Sequence, residues 1–169
     1  MIELKKGYIS ITKQNYNYEL LDGHTLINYM KTKKNLMMSF ENILRKYRNN
    51  PLFQLIKIIQ EEINIYPEDT LYLIIYKKDE VISCARLNIK NNYCYLNMIV
   101  VNEKYRRMGL CTKIINKCIL LTKNHVKKYA LDVEKENKHA IKCYENNGFA
   151  ITKKTKKCNT VIYIMELHI

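Results

Sequence analysis

The chain has 169 residues, 29 Lys and Arg against 16 Asp and Glu for a formal net charge of +13, and 47% hydrophobic residues. That length and apolar content support one domain, residues 1–169, with its own core and exclude intrinsic disorder, while four glycines and two prolines exclude linker-rich or collagen-like sequence. No apolar run approaches the ~18 residues of a membrane span, and the start Met1-Ile2-Glu3-Leu4-Lys5-Lys6 lacks the succession of a secretory signal, so a cytoplasmic protein that does not engage membranes is expected.

The first 66 residues hold no recognisable chemistry and read as a helical N-terminal part. Gly7 to Lys13 alternates like a strand, and Leu26 to Tyr47 is helical in composition with irregular apolar spacing. A cleaner helix follows: Asn50 can cap it, Pro51 suits its first position, and Leu52, Leu55, Ile56, Ile59 and Ile63 share one face up to Tyr66-Pro67. From Thr70 the texture changes. Leu71–Tyr76 and Val81–Leu87 read as a hairpin, and a turn at Asn91-Asn92 leads into a third strand, Tyr93–Val101. After a basic loop, Leu110, Ile114, Cys118 and Leu121 mark a helix to about Lys123; Tyr129–Val133 is a short buried strand. Asn137 caps a second helix, Lys138–Asn146, that Gly148 ends in left-handed conformation, and two strands, roughly Phe149–Thr155 and Thr160–Leu167, close the chain. This order predicts a mixed α/β (α+β) fold, a mostly antiparallel mixed sheet with helices on both faces.

The six cysteines show no C-x-x-C pair and the four histidines do not cluster near them, so no metal site is expected and the thiols are read as reduced and mostly buried. Of the 29 cations only five are Arg, the residue that bidentate phosphate and base recognition prefers, so a solvated lysine coat is the first reading of the charge. Only Lys153-Lys154-Thr155-Lys156-Lys157 is dense enough to keep nucleic-acid binding open as a distant alternative.

Chemistry concentrates in two segments. In Val101-Asn-Glu-Lys-Tyr-Arg-Arg-Met-Gly-Leu-Cys-Thr112 a strand end, a basic loop and a helix start would point the backbone N–H groups of Arg107 to Thr112 outward, an anion site beside Arg106 and Arg107. The second segment runs from Leu131 to Phe149.

Arg106-x-x-Gly109-x-Cys111 resembles the acyl-coenzyme-A loop (Q/R-x-x-G-x-G/A) of the GNAT superfamily of N-acetyltransferases, and Asn137-x-x-Ala140-Ile141-x-x-Tyr144-x-x-x-Gly148-Phe149 is similar to that family's second signature at its usual distance. The resemblance covers about Thr70 to Ile169. It implies a V-shaped cleft between the family's strands 4 and 5, acetyl-CoA as cosubstrate without a metal, and transfer of the acetyl group directly to an amine. The coenzyme would lie along Met98, Ile99, Val100 and Val101, its pyrophosphate on Arg106, Arg107, Met108, Gly109, Leu110, Cys111 and Thr112, with Asn137 and Tyr144 beside it. Cys111 departs from the usual Gly or Ala but keeps its N–H, so a tighter fit is expected.

The resemblance makes Tyr144 the general acid that protonates the leaving thiolate; a phenol near ~10 and a thiol near ~8.5 are close enough for transfer within a hydrogen bond. Asp132 is the candidate base, twelve residues before Tyr144 as in bacterial enzymes that acetylate ribosomal-protein N-termini, and Tyr95 matches a tyrosine used in some eukaryotic N-terminal acetyltransferases. Glu134 is the fallback. A protein N-terminus is the expected acceptor, because a free α-amine near ~7.7–8.0 needs only a weak base; a small amine such as an amino sugar or sugar phosphate is the alternative, and the positive charge disfavours polyamines and histone tails. A monomer or homodimer is expected.

Overall fold

The computed structural model describes residues 2, 4–48, 57, 59–61 and 70–169, of residues 46–48 the backbone alone. The elements are β1 (Lys5–Ile11), β2 (Gln14–Asp22), α1 (Gly23–Thr32), α2 (Lys34–Arg48), β3 (Thr70–Lys77), β4 (Glu80–Lys90), β5 (Tyr93–Val101), α3 (Leu110–Thr122), β6 (Lys128–Glu134), α4 (Lys138–Asn146), β7 (Ala150–Lys157) and β8 (Thr160–His168). All eight strands join one sheet in the order β1-β2-β3-β4-β5-β6-β8-β7. Every pairing is antiparallel except β5 with β6.

Two hairpins turn on residues with positive φ, Thr12-Lys13 (47° and 64°) and Asn91-Asn92 (47° and 60°), the mirror-image geometry that matches strand twist. Asparagine visits that region readily. A β-branched Thr does not, and here the ladder from Lys5↔Leu20 to Ile11↔Gln14 holds it there. The N-terminal part is therefore not simply helical: β1 and β2 extend the sheet, and Ile11, Tyr16 and Leu20 enter the same core as α3 and α4. The expectation missed β2 because its turn carries no Gly or Asn signal.

Asp22 caps α1, its Oδ1 accepting the Thr25 N–H at 2.7 Å. Helices α1 and α2 cover one face through Leu26, Leu36, Phe40 and Leu44 against Tyr72, Ile74 and Cys84. Helices α3 and α4 cover the other, where Leu110, Ile114, Cys118, Ile141 and Tyr144 pack on Leu73, Leu87, Leu96, Leu131 and Met165. Sandwiching explains β3, whose first six residues are all buried and show no alternation. Most of the expected helix from Pro51 to Tyr66 lies outside the described residues; residues 57 and 59–61 are helical, and Ile59 is fully buried. Among the described residues no helix is long and apolar enough to cross a membrane.

A buried carboxylate pins α1 to the sheet. Glu19 accepts hydrogen bonds from the hydroxyls of Tyr76 (2.6 Å) and Tyr29 (2.7 Å) and pairs with Lys33 at 3.1 Å. Burial pushes its pKa up, but the bonds from Tyr76, Tyr29 and Lys33 and the Lys33 charge outweigh this and hold it below the ordinary 4.5. A lowered native pKa stabilises the fold above the ordinary value, and that contribution is lost as pH falls from there through the folded-state pKa. Glu19→Gln is expected to cost about 1–3 kcal/mol at neutral pH and to flatten the acid limb of the stability curve, measured by thermal denaturation between about pH 3 and 7.

Candidate active site

The site begins at an irregularity in β5. Cys84 pairs with Val100 and Arg86 with Asn97, so Ala85 faces one residue too many, and Met98 takes φ 50° to absorb it. Before this bulge Cys94 and Leu96 face the α3 side; after it Met98 and Val100 lie in the α2-side core. The bulge also coincides with the opening of the sheet. β5 and β6 are in register only at Tyr93↔Lys128, Cys94↔Tyr129 and Tyr95↔Ala130, whereas β6 runs on beside β8 to Glu134↔Ile162. Along residues 96–101 the β6-facing edge of β5 carries no strand partner among the described residues, which leaves a wedge whose wall is peptide N–H and C=O. Met98 and Val100 thus present backbone to the wedge while their side chains are buried, and Ile99 and Val101 pack against the other core.

The loop after β5 is held by its own polar groups. The Asn102 N–H and side-chain amide donate to the carbonyls of Ile82 and Val81, and the Tyr105 hydroxyl donates to Glu80 at 2.9 Å. Burial and then Glu80 push the Tyr105 phenol up to about 12. Arg107 (φ 65°) and Gly109 (φ 72°) are both left-handed, and Gly109 stands at the N-cap of α3 with no side-chain cap for the first turn. A Cβ on Gly109 would meet nothing within 4 Å, so the space beside this glycine is open. Arg106 and Arg107 stand exposed beside it. An open, uncapped 13-residue helix N-terminus flanked by two guanidiniums fits the pyrophosphate of a coenzyme A, with the wedge edge suited to the amides of its pantetheine arm. Leu110 contributes backbone only, since its side chain is 2% exposed in the core.

Helix α4 carries Tyr144. Asn137 caps it by accepting the Ala140 N–H at 3.2 Å, and Gly148 (φ 85°) follows its end, as the sequence predicts. Tyr144 is buried on the α3 side with its ring 6.3 Å from that of Phe149. Tyr95 and Asp132 come together on the opposite face. They lie on adjacent strands, and burial followed by the charge of Asp132 raises the Tyr95 phenol well above its ordinary value. The exposed Glu134 alternates onto the same side as Asp132. Acid and base candidates therefore sit on either side of the sheet, with the wedge between them.

The structure corrects the cysteine reading. Cys111 and Cys143 are joined by a disulfide, while Cys84, Cys94 and Cys118 are buried thiols and Cys158 an exposed one. The pair is 32 residues apart in sequence, and only the packing of α4 on α3 brings their Cα atoms to 6.5 Å. Two further features escape sequence reasoning. One is the Met98 bulge. The other is a polar chain on the Tyr95 side of the sheet, Arg86 to Asn97, Asn97 to Asn88 and Asn88 to Thr70, for which the only signal is a polar Asn97 within an apolar strand. On the α2 side a cavity of about 600 Å³ reaches Met38, Asn42, Val100, Asn102 and Arg106. Among the described residues no three His, Cys, Asp or Glu converge as a metal site.

A splayed parallel pair in an otherwise antiparallel sheet, with an uncapped helix N-terminus at its mouth, is the arrangement expected for an acyltransferase, and the family match assigns that class. The chain belongs to the acetyltransferase (GNAT) family, whose sequence pattern matches residues 37–149. It is 38% identical over 61 residues to N-alpha-acetyltransferase 30 of Xenopus laevis, a stretch covering 36% of this chain and 22% of that protein. The fold is similar to that of the ribosomal-protein-S18-alanine N-acetyltransferase from Escherichia coli (TM-score 0.58, 23% identity, 66% of this chain and 76% of that one). It is also similar to a GNAT family acetyltransferase from Elizabethkingia anophelis with acetyl-CoA bound (TM-score 0.54, 19% identity, 65% and 83%).

Proposed function

We propose that this protein transfers the acetyl group of acetyl-CoA to the α-amine at the N-terminus of a peptide or protein. The observation that carries the reading is the juxtaposition of Tyr95 and Asp132 on adjacent strands, on the face of the wedge opposite Tyr144. Bound acetyl-CoA supplies an acyl group activated as a thioester. The first turn of α3 and the β5 edge hold it; Asp132, beside Tyr95, takes the proton of the arriving ammonium directly or through one water; Tyr144 donates a proton on the leaving-group side. An α-amine at ~7.7–8.0 is already partly neutral at pH 7, so a carboxylate one methylene shorter than Glu suffices, whereas a side-chain amine near ~10.4 asks for a stronger base. The names of the frog and Escherichia coli proteins, both acetyltransferases of N-terminal or protein amines, support the same acceptor class.

The test is thiol release from acetyl-CoA across peptide N-termini, amino sugars and polyamines, with peptides expected to be fastest; turnover confined to an amino sugar would overturn the reading. Within that assay Asp132→Asn is expected to lose about 10²-fold at pH 6.5, the loss shrinking toward pH 9 as the α-amine deprotonates unaided. Wild-type rates at pH 6.5 with every acceptor would remove Asp132 from the base role.

A further inference from the structure

We propose that Cys111 and Cys143 form a reversible thiol–disulfide site that sets the affinity of the α3 N-terminus for acetyl-CoA, the bridged form binding tightly and the dithiol form weakly. The proposal rests on the reading that this helix turn holds the coenzyme. Cys111 is the second residue of α3, so its own N–H belongs to the uncapped first turn, and Cys143 directly precedes Tyr144 on α4. The bridge thus ties the anion-facing donors to the helix that carries the acid candidate.

The first turn of a helix is where fraying starts, because its leading N–H groups have no partner within the helix. At α3 the N-cap Gly109 supplies no side-chain cap to that turn. Fixing Cys111 to α4 keeps the donors aligned before the coenzyme arrives, so less order has to be gained on binding. Reduction releases that constraint without dismantling the interface. Asn147 Nδ2 donates to Thr112 Oγ1 at 3.2 Å and to the Cys143 carbonyl at 2.6 Å, and Leu110, Ile114, Ile141 and Tyr144 share one core. The two sulfurs therefore stay neighbours in the dithiol form, and the bridge can close again without refolding.

Access also singles out this pair. Cys111 and Cys143 are half-buried and reachable by a small thiol, Cys84, Cys94 and Cys118 are enclosed, and Cys158 is exposed on the far hairpin. With a low-molecular-weight disulfide such as glutathione disulfide as oxidant, the Cys111 thiolate attacks one sulfur and expels a glutathione thiolate. The Cys143 thiolate then attacks Cys111 Sγ and expels the second. The protein gives up two electrons and two protons, and the glutathione disulfide becomes two glutathiones.

The experiment uses the full chain with Cys158→Ser, equilibrated in glutathione buffers of graded ratio. Alkylation and mass measurement read the redox state, and calorimetry reads the acetyl-CoA Kd. The expected result is a Kd about 3–10-fold tighter in the bridged form, restored fully by a change of buffer, and a Cys143→Ser variant fixed at the dithiol value at every ratio. An equal Kd in both states, or thiols at 111 and 143 that never bridge, would overturn the switch while leaving the coenzyme site standing. No binding in either state would overturn the coenzyme reading and the proposal together. The redox titration of the Cys158→Ser chain decides the matter even if Cys143→Ser fails to fold.

Discussion

Tyr144→Phe is expected to lower turnover by roughly 10²–10⁴-fold while leaving coenzyme affinity and melting temperature close to the parent. The substitution keeps the ring, which is 7% exposed in the α3-side core and tilted at 57° against Phe149, so the packing that seats α4 survives. Only the hydroxyl is lost, and a single neutral hydrogen bond contributes about 1 kcal/mol to stability, too little to mimic a catalytic defect. Single-turnover thiol release with saturating acetyl-CoA separates the two roles. A fall in that rate with unchanged Kd marks the proton donor; an unchanged rate returns Tyr144 to the core.

Gly109→Glu is expected to abolish coenzyme binding. Acetyl-CoA at a hundredfold excess over its Kd should stabilise the parent by about 2.7 kcal/mol through mass action, a clear rise in melting temperature. At Gly109 a Cβ would meet nothing within 4 Å, so a glutamate has room, but the φ of 72° strains its backbone, and its charge lies beside the N–H groups that would hold pyrophosphate. Gly109→Asn supplies the control, because asparagine tolerates the left-handed region and adds no charge. The Asn variant should retain a reduced thermal shift and the Glu variant none. Loss in both, with the folded baseline intact, would mean that the loop needs glycine for approach of the ligand and not for charge.

Much of the chain from Thr70 onward was legible because its signals are local. The period of Leu110, Ile114 and Cys118, the Asn137 cap and the left-handed Gly148 each act within a turn or two, and the structure has α3 at Leu110–Thr122 and α4 at Lys138–Asn146. The Asn91-Asn92 turn is of the same kind. β2 was not legible, since Thr12-Lys13 reaches its turn geometry only because the β1–β2 ladder compels it.

The order and type of the elements from Thr70 onward, and the spacing of Arg106, Gly109, Asn137 and Tyr144, were thus determined by sequence alone, as periodicity, caps and turn residues are properties of neighbouring residues. What the tertiary structure decided depends on contacts between distant segments. The extra residue at Met98 is defined only against Ala85 on β4, and the wedge only by where β6 leaves β5. The juxtaposition of Tyr95 and Asp132 needs two parallel strands joined by α3, and the Cys111–Cys143 bridge needs α4 folded onto α3. No window of sequence contains these partners together, because burial and sheet register, which span the chain, select them.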